Sequence, residues 1–159
     1  MKMNSSKIFS LSELLRKLVT LRKGSITIGF TNGCFDLLHK GHHTLISKAK
    51  KNCDFLIVAV NTDKSVKVLK GQDRPIQKQK LRLENLSKIK HVDALILFNE
   101  ETPLKIINQL LPDVLFKGED YKHKDVIGSE SVTKNGGRVE LIEILEGFST
   151  TNIIKNSSL

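Results

Sequence analysis

Apolar residues along this chain fall into short blocks separated by polar, lysine-rich stretches, and the blocks differ in period. Leu11, Leu14, Leu15 and Leu18 recur at helical spacing behind Ser10-Leu-Ser-Glu13, which has the form of a capping box. This predicts an amphipathic first helix of about three turns. Ser25 to Thr31 reads as a strand. Asp54-Phe-Leu-Ile-Val-Ala-Val60 and Asp93-Ala-Leu-Ile-Leu-Phe98 are continuous apolar runs, the mark of strands covered on both faces. Asp113 to Lys117 predicts a fourth strand and Arg138 to Ile144 a fifth, after a turn at Asn135-Gly-Gly137. Between them, helices are predicted over His42–Lys51, Gln77–Lys90, from Thr102-Pro103 onward with proline in the first turn, and between Lys124 and Lys134. A short helix over Thr150–Asn156 would close the chain.

Strands alternating with helices argue for an α/β fold with a parallel sheet and helices on both faces. In such sheets ligands bind outside the carboxyl ends of the strands, where the strand order reverses. The loops of interest are therefore 31–42, 61–76, 99–102, 117–124 and 145–151.

At 159 residues, 39% of them hydrophobic and 27% charged, the chain fits one globular domain. The apolar run Phe55–Val60 is too short to span a bilayer, so no membrane partner is expected. The opening MKMNSSKIFS lacks the apolar stretch and cleavage site of a signal peptide. Cys34 and Cys53 make neither a disulfide framework nor a metal framework, and the cytoplasm is the expected location. A net charge of +9, from 26 Lys and Arg against 17 Asp and Glu, suits polyanionic partners as well as a merely solvated basic surface. One Tyr, no Trp and dispersed basic residues argue against nucleic acid.

The loop after the first strand carries the chemistry. Gly29-Phe-Thr-Asn-Gly-Cys-Phe-Asp-Leu-Leu-His-Lys-Gly-His-His43 holds three glycines and three histidines. It contains neither GxxxxGK[ST] nor GxGxxG. His39-Lys40-Gly41-His42 stands at the approach to a helix, whose unpaired N–H groups and positive partial charge favour a phosphate. Gly41 would allow close approach, and His39 and His42 would aim donors at the same anion. Metal binding is the rival, through His39 and His43 with Asp36 as a third ligand. HExxH is missing its Glu, however, and no metal site is assigned.

Gly33-Cys-Phe-Asp-Leu-Leu-His-Lys-Gly-His42 resembles the GxFDxxHxGH signature of the cytidylyltransferase-like nucleotidyltransferase superfamily. The fuller string from Phe30 resembles a narrower group within it, the D-glycero-β-D-manno-heptose 1-phosphate adenylyltransferases. Further pieces follow in order: Val60-Asn-Thr-Asp63, similar to VNSD; Lys70-Gly-Gln-Asp-Arg-Pro75, similar to KGxxRP; and Arg82, with Leu81 where the group has Gln. Leu111-Pro-Asp-Val-Leu-Phe-Lys-Gly-Glu-Asp-Tyr121 resembles LPD-xx-xKGxDY, with Glu119 in place of the commoner Gly. Gly128-Ser-Glu-Ser-Val132, Asn135-Gly-Gly137 and Gly147-Phe-Ser-Thr-Thr-Asn-Ile-Ile154 complete the series, with Phe148 where a small residue is common. The match runs from about Phe30 to Lys155.

The resemblance implies a Rossmann-like three-layer α/β/α fold with a five-stranded, mainly parallel sheet. It would form a nucleotidyltransferase domain over residues 25–159, preceded by a helical extension over 1–24. It implies transfer of AMP from ATP to the heptose 1-phosphate, with Mg²⁺ arriving on ATP, in a homodimer feeding bacterial surface-glycan synthesis. His39, His42, Lys70 and Lys117 would be catalytic. Thr31, Asn32, Gly33, Cys34, Phe35, Gly41, Asn61, Gly118, Ser149, Thr150 and Thr151 would join His39, His42 and Lys117 in binding nucleotide. Asp36, Asp63, Lys70, Arg74, Arg82, Asp120 and Tyr121 would bind the sugar phosphate. On the residues alone, Asp36 and Asp63 serve equally well as turn stabilisers, Ser149–Thr151 as a helix cap and Tyr121 as core. A cytidylyltransferase acting on glycerol 3-phosphate or another alcohol or sugar phosphate, and a non-catalytic nucleotide- or nucleic-acid-binding protein, are the competing readings.

Overall fold

The computed structural model describes residues 5–119 and 125–144. After a 3₁₀ turn at Ser5–Lys7, the order is α1 (Leu11–Leu21), β1 (Ile28–Gly33), α2 (Lys40–Lys51), β2 (Phe55–Asn61), α3 (Asp63–Lys70) and α4 (Gln79–Ser87). Then come β3 (Ala94–Phe98), α5 (Leu104–Leu110), β4 (Val114–Gly118), α6 (Ser129–Lys134) and β5 (Arg138–Ile142). The five strands form one parallel sheet in the order β3-β2-β1-β4-β5, as the alternation of elements predicts. The closing helix expected at Thr150–Asn156 lies outside the described residues.

Apolar side chains fill both faces. Ile28 and Phe30 of β1, Ile57 and Ala59 of β2 and Ile96 of β3 pack with Leu14 and Leu18 of α1 and Ile106, Ile107 and Leu110 of α5. Leu56, Val58 and Val60 of β2 and Phe116 of β4 pack on the other face with Leu45, Ile46 and Ala49 of α2 and Leu86 of α4. The first helix belongs to this core. Its capping box forms, with Glu13 N donating to Ser10 Oγ at 3.2 Å and Ser10 N to Glu13 Oε1 at 3.0 Å. Ahead of it, Phe9 N donates to Leu95 O at 2.9 Å and Ile8 bridges Leu95, covering part of the β3 edge.

Aspartates just ahead of three strands register the sheet at its amino end. Asp54 accepts from Thr27 N, Asp93 from Leu56 N and Asp113 from Ile28 N, each at 2.8 Å. Each carboxylate thus binds backbone in, or one residue ahead of, the neighbouring strand. Gly29 is required where layers meet: a Cβ there would stand 2.6 Å from Phe116 Cε2 and 2.7 Å from Cys53 Sγ.

Several boundaries differ from the sequence expectation. The 61–76 region contains α3, capped by Thr62, whose Oγ1 accepts from Ser65 N at 3.2 Å. Its apolar stripe escapes notice because Val66 is buried while Val68 and Leu69 are exposed. Helix α4 starts at Gln79 and not Gln77, because the Gln77 peptide is engaged elsewhere, as described below. Helix α6 starts at Ser129, after Gly128 at φ +90°, where a side chain would collide with Ile107. Helix α2 starts at Lys40, two residues earlier than expected, with His39 as its cap.

The feature that makes a site is the seam between β1 and β4, where strand order reverses. Strand β1 pairs with β2 along its whole length, from Ile28↔Phe55 to Gly33↔Val60. With β4 it pairs only at Gly29↔Val114 and Phe30↔Leu115. Beyond Phe30 the ladder stops while β4 runs on beside β5 to Gly118↔Ile142. The carboxyl halves of the central strands are thus not paired to one another, and such a reversal point is where sheets of this kind take ligands.

If α1 is part of the core, Leu18→Ala should destabilise the chain by about 2–5 kcal/mol. Val19→Ala, at a position 62% exposed, should shift it by no more than about 0.5 kcal/mol. Urea unfolding of both variants checks this, and equal small effects would remove α1 from the core.

Candidate active site

The carboxyl end of the seam is bordered by the β1–α2 loop, the first turn of α2 and the end of β4. Along the loop, Phe35 turns the chain at φ 50°, in the left-handed region, and its buried ring lies 5.3 Å from that of His42 at 56°. Gly33 leaves room for this: a Cβ there would stand 3.1 Å from Phe35 Cε2.

Helix α2 is capped by two imidazoles. His39 Nδ1 accepts from Gly41 N at 3.1 Å, and His42 Nδ1 accepts from His39 N at 3.3 Å. This is the topology of a capping box with histidine in both roles. An Nδ1 that accepts a backbone N–H carries no proton, so each neutral ring holds its proton on Nε2 and is a donor there. The rings stack at 3.8 Å between centroids and 27° between planes. Burial, followed by the fields of His39 and His43, pushes the His42 pKa from 6.5 down to about 3. Burial and then His43 lower His39 as well. The cradle is therefore a pair of neutral donors at the positive end of a helix. Gly41 leaves it space, since a Cβ would stand 3.0 Å from both His39 Cε1 and Ile144 Cγ2.

Across the seam, the Lys117 ammonium lies 3.4 Å from Asn32 O, so a cation from β4 reaches the parting end of β1. Gly118 ends β4 beside it. Burial raises the Cys34 pKa, against the opposing fields of Lys70, Arg82 and Arg74, so Cys34 stays a thiol beside the cradle. Its Sγ lies 3.7 Å from Asn61 Oδ1.

Other sequence candidates turn inward. Thr31 is buried, and its Oγ1 has no hydrogen-bond partner among the described residues. The Asn61 side chain is buried and donates to Ser65 Oγ at 2.9 Å. Asp36 is fully buried and accepts from Arg74 Nε, Ile76 N and Gln77 N, each at 2.8 Å. Burial would raise its pKa, but the Gln77 and Ile76 amides and Arg74 bring it below the ordinary value.

Arg82 is also fully buried. It donates to Gln77 O at 2.9 Å, Cys34 O at 2.8 Å, Asn61 O at 2.7 Å and Asp63 Oδ1 at 2.8 Å. Asp63 also accepts from Gln79 N at 2.8 Å and takes Gln79 Oε1 on its own N–H at 2.9 Å. Expected at the sugar phosphate, the fully buried Asp36 and Arg82 side chains instead hold loops together, because their polar atoms are engaged by backbone and neighbouring side chains. Asp63, 25% exposed, pairs with Arg82 through Oδ1. Phe35 likewise supports His42 with a buried ring.

The structure therefore brings together Asn32, Gly33, Cys34, His39, Gly41, His42, Lys117 and Gly118, with Lys70 and Arg74 on the adjoining segment. Asp120, Tyr121, Ser149, Thr150 and Thr151 lie outside the described residues. Sequence reasoning missed Gln77, which acts through its peptide groups, and Gln79, whose N–H and Oε1 both pair with Asp63. Among the described residues, no group of three His, Cys, Asp or Glu side chains is arranged to hold a metal ion. No helix among them is long and apolar enough to cross a membrane.

With a five-stranded parallel sheet, an open seam at the strand reversal and paired histidines on the first turn beyond it, the architecture is that of a nucleotidyltransferase domain. The chain belongs to the cytidylyltransferase-like family, which matches residues 30–156. It is 48% identical to the Bifunctional protein HldE of Nitrobacter winogradskyi over 148 residues, 93% of this chain and 30% of that protein. It is 53% identical to that of Granulibacter bethesdensis over 133 residues, 84% of this chain and 27% of that protein. It thus spans less than a third of these curated relatives. Among solved structures, the lipopolysaccharide core biosynthesis protein of Thermoplasma volcanium is 29% identical with a TM-score of 0.62, over 76% of this chain and 98% of that one. Pantoate-beta-alanine ligase from Francisella tularensis shares the fold at 18% identity and a TM-score of 0.62, over 94% of this chain and 72% of that one.

The depressed histidines have a sign that can be tested. Below pH 6.5 an unfolded His42 binds a proton that the folded one refuses until about pH 3. Stability must therefore fall as pH drops through that window. His42→Gln removes this contribution, so its melting temperature should fall less than that of the wild type between about pH 6.5 and 4. Circular dichroism melts across that range check it; parallel curves would contradict the depressed pKa.

Proposed function

We propose that this domain transfers AMP from ATP to D-glycero-β-D-manno-heptose 1-phosphate, giving ADP-heptose and pyrophosphate for bacterial surface-glycan synthesis. One observation carries the reading: two stacked imidazoles, their Nδ1 atoms tied to backbone and their protons on Nε2, cap the helix that faces the open β1–β4 seam. A neutral donor pair at a helix N-terminus suits a phosphate whose charge grows during reaction. The name of the Thermoplasma protein, a lipopolysaccharide core biosynthesis protein, supports the surface-glycan setting.

In this reaction the acceptor phosphate oxygen forms a bond to the α-phosphorus as the bond from that phosphorus to the bridging oxygen breaks. The leaving electron pair departs on pyrophosphate. The nucleophile is already ionised, so alignment and charge stabilisation carry the catalysis and no general base is required. His39 and His42 would donate to the α-phosphate through Nε2–H, and Lys117 would neutralise charge from the β4 side. Lys70 and Arg74 would meet the sugar phosphate. Mg²⁺ enters with ATP as part of the substrate. Placement in the cytoplasm and assembly as a homodimer belong to the same proposal.

Pyrophosphate release should be seen with MgATP and the heptose phosphate, and not with CTP and glycerol 3-phosphate. His39→Ala and His42→Ala should each lower kcat by about 10²–10³-fold. Near-normal turnover in both variants would defeat the assignment. Turnover with CTP and glycerol phosphate would keep the mechanism and replace the substrates.

A further inference from the structure

The segment linking α3 to α4 is held in an unusual way. The Gln77 residue is gripped at both of its peptide groups by oppositely charged side chains. Its N–H donates to Asp36 Oδ1 at 2.8 Å, and its carbonyl accepts from Arg82 Nε at 2.9 Å. Both grips lead to the same stretch of the β1–α2 loop, because Arg82 also binds Cys34 O, two residues before Asp36. Two further bonds to Asp36, from Ile76 N and Arg74 Nε, continue the attachment toward Pro75. Asp36 and Arg82 are both fully buried, so neither can reach a ligand by its side chain.

The held segment carries charge. Arg74 uses Nε on Asp36, and its two terminal nitrogens have no hydrogen-bond partner among the described residues. Lys70, the last residue of α3, is exposed, and its field reaches the Cys34 thiol together with those of Arg82 and Arg74. An exposed Lys70 at the end of α3 and Arg74, 12% exposed on the segment that follows, therefore stand next to the loop that ends in the histidine cradle.

We infer that Asp36 and Arg82 are positioning residues that register Arg74 and Lys70 against the His39–His42 cradle. They thereby preset the cationic wall that receives the acceptor phosphate. The inference rests on the reaction proposed above. Arginine is needed because its planar fork serves three carbonyls and a carboxylate at once, whereas a lysine ammonium offers three donors from a single point. Asp36 must be ionised because it faces only donors.

The test uses Arg82→Lys and Asp36→Asn in the full chain, with MgATP and heptose 1-phosphate as substrates and amide hydrogen exchange as a second readout. Either variant should raise KM for the sugar phosphate by about tenfold or more and leave KM for ATP within about twofold. Exchange at Ile76 and Gln77 should quicken about tenfold, while Ile57 and Val58 in β2 stay protected. Equal change in both KM values, or unchanged exchange at Ile76 and Gln77, overturns the inference. If Arg82→Lys fails to fold, Asp36→Asn, which keeps the side chain's size, decides it. If the wild type turns over no sugar phosphate, the proposed reaction falls. Exchange then judges the clamp alone: loss of protection confined to 74–78 upholds it, and its absence overturns it.

Discussion

A guanidinium with no exposure to water lies beneath the loops of this site, and their arrangement depends on it. Burying a charge is costly unless its donors are met, and a carboxylate alone would leave most of an arginine's five N–H groups unmet. Here the carbonyls of Cys34, Asn61 and Gln77 join Asp63 around Arg82. Those acceptors sit just beyond β1, at the last residue of β2 and ahead of α4. The requirement to satisfy one cation thus fixes the ends of β1 and β2 and the segment ahead of α4 relative to one another. The desolvation cost becomes a geometric constraint, and the constraint is local to the carboxyl edge of the sheet.

The histidine pair obeys the same logic at smaller scale. A helix N-terminus leaves N–H groups unmatched, and in most helices hydroxyls or carboxylates match them. An imidazole that does this with Nδ1 must present a proton at Nε2, so helix capping and ligand binding are set by one choice of tautomer. A serine in the same place would cap as well and would lack the second nitrogen on the far side of the ring.

How much of this could be read from the sequence depended on whether a residue announces its direction. The strands were legible because Leu56–Val60 and Ala94–Leu97 are apolar throughout, which only a doubly covered strand explains. His39 and His42 were legible as a pair because they bracket a glycine at a strand-to-helix junction. Asp36 and Arg82 were legible as charged residues but not as inward-facing ones. A sequence shows that a residue has charge, not whether backbone groups will surround it. Gln77 was invisible, since its part is played by peptide groups that every residue has. Helix α3 was hidden by a short apolar stripe interrupted by lysines, and the start of α4 was displaced by a contact from a residue about forty positions away.

The two-residue ladder between β1 and β4 divides the sheet into a three-stranded part and a two-stranded part joined by a narrow isthmus. The His39–His42 cradle follows β1 of the larger part, on a helix that packs over both parts, and Lys117 belongs to the smaller. A molecule grasped by both would act as a cross-link, restoring at the carboxyl end the continuity that hydrogen bonds give elsewhere. Occupancy and rigidity would then be one equilibrium, with the occupied domain resisting separation of its two parts in proportion to the grip of each.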